Sequence, residues 1–285
     1  MPDEPSRGGS LDETSDEQLL SELVRAGGEL LVSGQHRLAA LGIVPDDPRW
    51  SAPIPIKYEA QLPLLFLGAL DAFDATAGLL RSRASQQAFH TLRFQIESIA
   101  LIRWVSEPVE ATERQHRAYQ VACGQISRFG RFLMRDTRRE REALDGVRAV
   151  RDWGRVLRDI AQQDGVGNLK RAPDAIDLFK WLHDVADYAN FSMYSELGSH
   201  PGAAGNTWFA VNSDRSKISY DLGAAHMARA FLVMTSIFYL WKSFEAIAKA
   251  LAWDKWLQTE ARPIYNQALP FLDETLRRRK ASAPD

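Results

Sequence analysis

The segment AFHTLRFQIESIALIRWV, residues 88–105, constrains the fold more than any other part of the chain. At about 100° per residue, Phe89, Leu92, Phe94, Ile96, Ile99, Leu101, Ile102, Trp104 and Val105 cover nearly every direction around a helix axis. His90, Arg93 and Glu97 share the one narrow polar arc that remains. A helix apolar on almost all sides is normally buried and needs neighbours around most of its circumference. The rest of the chain offers mainly further helices, so an all-α bundle is expected.

Helical periodicity recurs between breaks marked by proline and glycine. Ser15 and Gln18 have the spacing of a capping box for a first helix over roughly 16–42, with Gly27 and Gly28 weakening its middle. The stretch 44–55 contains four prolines and reads as a loop. Helices are predicted over roughly 57–81 and 85–106. A long one opens near Pro108 and reaches Arg141 or beyond, and another covers 173–188. A further piece ends near His200, where Pro201 disfavours the helical state of the residue before it. Residues 207–220 are the one β-prone stretch and suit a small hairpin. Two last helices run over roughly 222–252 and 255–280, the second interrupted by Pro263 and Pro270. The expected organisation is an acidic disordered tail at 1–14, a single helical domain of eight or nine helices over 15–280, and a short disordered tail at 281–285.

Composition narrows the function classes. The chain has 285 residues, and its formal charge of −2 gives no global attraction to nucleic acid or anionic lipid. One cysteine, Cys123, excludes an internal disulfide and reads as a small apolar residue. The acidic N-terminus lacks a basic region followed by an apolar run, and the longest uncharged apolar run, Ala230 to Trp241, is short for a bilayer span. These features point to a cytoplasmic protein with no membrane partner.

Two segments carry chemistry. Arg93 and Glu97 would be ionised groups inside a core, which costs several kcal/mol per ion (order of magnitude) unless they are paired. They read either as an i,i+4 ion pair that sets helix register or as a polar patch facing a ligand pocket. In the second segment, residues 190–202, Tyr194, Ser195, Glu196 and His200 gather near a helix end. Glu196 and His200 have a spacing that suits two ligands on one divalent metal, and a histidine favoured by the helix dipole is the plainer reading of His200. The Arg-x-x-x-Glu helix (Arg93, Glu97), followed later by Tyr-Ser-x-x-x-x-His-Pro (Tyr194, Ser195, His200, Pro201), resembles a loose group of uncharacterised bacterial all-helical proteins. The likeness covers about residues 57–250 and implies that Arg93, Glu97, Tyr194, Ser195 and His200 converge on one site; it implies no activity.

Four function classes stay open. A metal-dependent enzyme would draw on Glu97, Glu196 and His200, with Glu59 and His90 as further candidates, although no Glu-x-x-His signature is present on these helices. A HEPN-like ribonuclease of a toxin or defence system would use Arg83 and His90. The ten arginines within residues 128–158 are interleaved with five acids, however, and read better as a solvated, salt-bridged face than as a nucleic-acid surface. A prenyl-diphosphate enzyme is echoed only by Asp71 and Asp74, with Asn212 and Ser216 further on. A non-catalytic homo-oligomeric interaction protein would use Trp208, Trp241, Trp253 and Trp256 as anchors, where core packing is the plainer role. The favoured expectation is a polar site for a small-molecule ligand or metal between helix three and residues 194–200, organised by Arg93 and Glu97.

Overall fold

The computed structural model describes residues 10–42, 58–82, 85–136, 141–166, 169, 172–199, 209–211, 218–220 and 222–281. The elements in chain order are α1 (Ser10–Ala39), α2 (Tyr58–Arg81), α3 (Ser85–Ser106), α4 (Ala111–Asp136), α5 (Arg141–Gln163), α6 (Ala175–Leu182), α7 (Val185–Ser199), β1 (Phe209–Val211), β2 (Ile218–Tyr220), α8 (Leu222–Leu251), α9 (Asp254–Trp256), a π-helical turn (Leu257–Ala261) and α10 (Arg262–Ala281). Nine of the α-helices among the described residues have eight residues or more, as an all-α bundle of eight or nine helices requires. The strands pair antiparallel, with Phe209 opposite Tyr220 and Val211 opposite Ile218. The expected loop at 44–55 lies outside the described residues.

Several boundaries differ from the sequence reading, each for a local reason. The first helix begins at Ser10, not near Ser15. The helix after Pro108 starts only at Ala111, and the long helix expected to pass Arg141 is two helices, α4 and α5. The helix expected over 173–188 breaks at His183, which takes the left-handed conformation (φ 52°) and donates its N–H to Lys180 O, while Asp184 N–H bonds to Phe179 O. Pro270 does not end α10, and the irregularity near Pro263 is the π turn before it, closed by Arg262 N–H on Leu257 O.

The third helix has the neighbours its composition demands: it packs against α2, α4, α6, α7 and α8. It is not covered on every side, because His90 and Phe94 are exposed and Arg93 and Glu97 are half-buried. Its register against α8 is fixed by a buried two-way contact. Ser236 Oγ donates to Gln95 Oε1 at 2.7 Å, and Gln95 Nε2 donates to Ser236 O at 3.0 Å, with both residues fully buried. A satellite cluster of Tyr119, Ala122, Leu157 and Ala161 joins α4 to α5 beside the main core. Trp241, Trp253 and Trp256 are buried in the main core; the Trp241 ring stacks on Tyr265 at 4.3 Å and Trp256 on Phe244 at 5.1 Å.

Two helical stretches, Gln61–Arg81 and His226–Leu251, are long and apolar enough to cross a membrane by length and composition, with mean hydropathy 1.4 and 1.3. They exceed the twelve-residue uncharged run because scattered polar residues interrupt them without lowering their average. Of their most apolar windows, 56% and 67% is buried inside the protein, as in core helices.

The two glycines that weaken α1 as an isolated helix have unequal surroundings in the bundle. A Cβ on Gly27 would lie 2.3 Å from Phe73 Cζ and 3.0 Å from Ile237 Cγ1, whereas one on Gly28 would meet nothing within 4 Å. Gly34, one heptad beyond Gly27, faces Leu70 and Phe244 in the same way. The bare backbone at Gly27 and Gly34 therefore lets α1 approach α2 and α8 closely. Gly27→Ala is expected to destabilise the protein by about 1–3 kcal/mol through overpacking, and Gly28→Ala to stabilise it by about 0.5–1 kcal/mol through helix propensity. Urea denaturation of the two variants checks this, and equal effects would contradict it.

Candidate functional site

The residues singled out from sequence lie on the facing helices α3 and α7, with varied surroundings. The Arg93 guanidinium carbon lies 4.8 Å from the centroid of the Phe191 ring, and its Nε is buried without a hydrogen-bond partner. Glu97 is half-buried one turn along α3. Tyr194 is 1% exposed, its ring stacked on Phe89 at 5.8 Å; burial pushes its hydroxyl above the ordinary range, with Thr235 hydrogen bonding against the shift. Ser195 Oγ donates to Phe191 O at 2.7 Å, so its hydroxyl is engaged within its own helix. Glu196 is exposed, and His200, Arg83, Trp208, Asn212 and Ser216 lie outside the described residues. The structure thus places Arg93 and the aromatic side of α7 together. Among the described residues, no group of three or more His, Cys, Asp or Glu is arranged to hold a metal ion.

Other candidates have plain surroundings. Asp71 and Asp74 are exposed on α2, and the Asp71 carboxyl is raised by partial burial and by its neighbour Asp74. Burial likewise raises the half-buried Cys123 thiol, against the opposing charge of Arg158, which suits an unreactive packing residue. The described arginines of α5 are exposed, with Arg155 3.6 Å from Asp152.

The better-formed site lies elsewhere, where the C-terminal end of α3, the start of α4, the α6–α7 junction and the C-terminal third of α8 border a cleft of about 800 Å³. Its charged lining comes from Arg103 and Glu107, Arg114, Asp184, and Lys242, Glu245 and Lys249. Pro108, Val109, Leu182, Ala246 and Ala250 supply apolar walls. The residues from α8 recur at three- and four-residue intervals, so one face of that helix forms a side of the cleft.

The left-handed turn at His183 builds the deep end. By stopping α6, it frees Asp184 to cap α7, with Oδ1 accepting from Asp187 N–H at 3.1 Å. Asp184 Oδ2 accepts from Arg103 Nη1 at 2.9 Å. Asp187, 4% exposed, lies behind the cleft and is closely surrounded. Lys242 Nζ donates to both of its oxygens at 2.9 Å, Tyr239 donates to Oδ1 at 2.9 Å, and Arg103 Nη1 stands 3.9 Å from Oδ2. Asn190 Nδ2 in turn donates to the Tyr239 hydroxyl at 2.8 Å. Three helices are thus tied together by two carboxylates and two cations.

The environment pushes the two carboxyl groups in opposite directions. Burial raises Asp187, and the neighbouring Asp184 adds to the shift, while Lys242 and Tyr239 oppose it. Burial also works to raise Asp184, but the Asp187 amide, Arg103 and Lys242 outweigh it and hold this carboxyl below its usual value. Burial, followed by the charge of Asp187, pushes the Tyr239 hydroxyl far above the ordinary phenol range, so it serves as a fixed donor. Arg103 gives only Nη1 to this network; its Nε and Nη2 have no protein partner among the described residues. Chemically, the cleft offers a held guanidinium edge and an ammonium in a partly enclosed setting, a combination suited to an organic anion.

Comparison with family models, curated proteins and solved structures finds no match for this chain. The cleft residues were missed in the sequence because Asp184 and Asp187 fall inside what reads as one helix over 173–188. The available signal was the Asp-x-x-Asp spacing, an N-cap residue followed by an acid in the first turn.

Removing Lys242 while leaving Asp187 charged strips a buried carboxylate of its closest cation. Lys242→Met is expected to destabilise the fold by about 2–3 kcal/mol, and Asp187→Asn in that background to restore more than half of the loss; denaturant titrations of the single and double variants read this. The pH response follows from the two shifts. Asp187 binds its proton more tightly folded than unfolded, so its contribution is fully present below the unfolded value near ~3.9 and is lost as pH rises through the folded value. Asp184 contributes stability above that unfolded value and loses it as pH falls through its lower folded value. Thermal melts between about pH 4 and about pH 6 should therefore show wild type losing ground against Asp187→Asn as pH rises. A constant gap between the two would refute the assignment.

Proposed function

We propose that this chain is a soluble, cytoplasmic helical protein that binds a small organic anion in the cleft between α3, α7 and α8. The observation that carries this reading is the state of Arg103: a carboxylate pair grips one nitrogen, and the other two, lacking protein partners among the described residues, are left for a ligand. A guanidinium anchored in this way loses little side-chain freedom when a planar carboxylate or a phosphate group docks on its remaining edge. With Asp187 behind the lining, four cations stand beside four carboxylates, so the reading rests on the open edge of Arg103 and not on net charge. The location of the two most apolar helical stretches largely within the core supports the soluble assignment.

Thermal-shift screening of small carboxylates and phosphates against matched neutral and cationic molecules tests the reading. An anion present at a hundred times its dissociation constant should stabilise wild type by about 2.7 kcal/mol. Arg103→Gln should respond far less. If no anion raises the melting temperature, or if Arg103→Gln responds like wild type, the proposal fails.

A further inference from the structure

The cleft lining holds cations with different surroundings. Arg103 and Lys242 stand together, held by Asp184 and Asp187. Further along α8, Lys249 is exposed and makes no ion pair among the described residues. At 1.5 Å rise per residue, the seven steps of α8 from Lys242 to Lys249 separate their backbones by about 10 Å. Between them α8 presents Ala246, and Ala250 follows Lys249; both side chains are short, with Pro108 and Leu182 among the other apolar walls of the cleft. Because Gln95 pairs with Ser236 and Arg103 reaches the partner of Lys242, α3 and α8 run in the same direction, and the end of α3 follows α8 toward Lys249.

Resting on the anion-binding reading above, we propose that the ligand is an extended dianion with an apolar middle, of the organic α,ω-diacid class. Its first acidic group docks on the free edge of Arg103. Its methylene chain lies over Ala246, where burial of each CH₂ is favourable. Its second acidic group meets Lys249, which has no carboxylate partner among the described residues. Glu107 lies in the same lining and bears the wrong charge for such a guest. Glu245, by contrast, stands 3.9 Å from Arg262, which partly offsets its charge.

Isothermal titration of the full chain with α,ω-dicarboxylates from succinate to sebacate, and with monocarboxylates of matched length, reads the proposal directly. The expected result is an affinity maximum at intermediate length, with the best diacid bound about tenfold more tightly than its monoacid, the equivalent of one added charged contact. Lys249→Gln should bring the diacid down to the level of the monoacid, and Glu107→Gln should tighten diacid binding. Both positions are exposed, so these variants are expected to keep the fold, which circular dichroism checks. If diacids and monoacids bind alike and Lys249→Gln changes nothing, while binding still depends on Arg103, the dianion proposal is overturned and the anion-binding reading survives. If Glu107→Gln weakens binding, the far end takes a cation, and the proposal falls on that result as well. If no acid of either series binds, both readings fall together.

Discussion

The contact between Gln95 and Ser236 is the constraint on which the arrangement of the working parts depends. Both residues are fully buried, and each supplies what the other needs: the amide nitrogen finds a carbonyl, and the amide oxygen finds a hydroxyl. In a low-dielectric interior an unmade hydrogen bond costs more than a made one returns, so helices carrying such a pair have one acceptable register. Sliding α8 along α3 by a turn would part three buried side-chain polar atoms from their partners. With that register set, Arg103 falls beside the segment that carries Asp184 and Asp187, and Lys242 reaches Asp187 from the other side.

The second determinant is a single left-handed residue. His183 turns the chain between α6 and α7, and the turn converts Asp184 from a helix-interior acid into a cap with one oxygen on the α7 backbone and one on Arg103. A carboxylate that does both jobs couples the integrity of α7 to the position of a cation in the cleft. Asp187, three residues on, is buried among Tyr239, Lys242 and Arg103, and its burial is tolerable only because those partners are present. The network is costly to assemble, and its return is geometric: three helices hold two cations at fixed positions.

Close packing of α1 follows a different logic, one of absence. Gly27 and Gly34 bring no side chain, and Phe73, Ile237, Leu70 and Phe244 fill the space that a Cβ would occupy. The aromatic stacking of Trp241 on Tyr265 and of Trp256 on Phe244 then joins the C-terminal helices to the same core. The late tryptophans are therefore used in packing, where large rings bury the most surface.

By itself the amino-acid order determined the all-α class, the limits of α2 and α3 to within a residue, and the position of the small hairpin, because these follow from local periodicity and from proline and β-branched residues acting on their own neighbours. It also marked α3 as a helix that needs neighbours on most sides, although the polar arc of α3 turned out to lie at a half-buried edge. The cleft was a tertiary decision. Arg103, Asp184, Asp187 and Lys242 are spread over 140 positions of sequence and read separately as ordinary charged residues of helix faces. They become a site only when three helices meet in one register and His183 breaks what periodicity presents as a continuous helix. The physical reason is that local pattern reports burial and helix propensity, whereas the pairing of distant charges is set by long-range packing, which no short window of sequence contains.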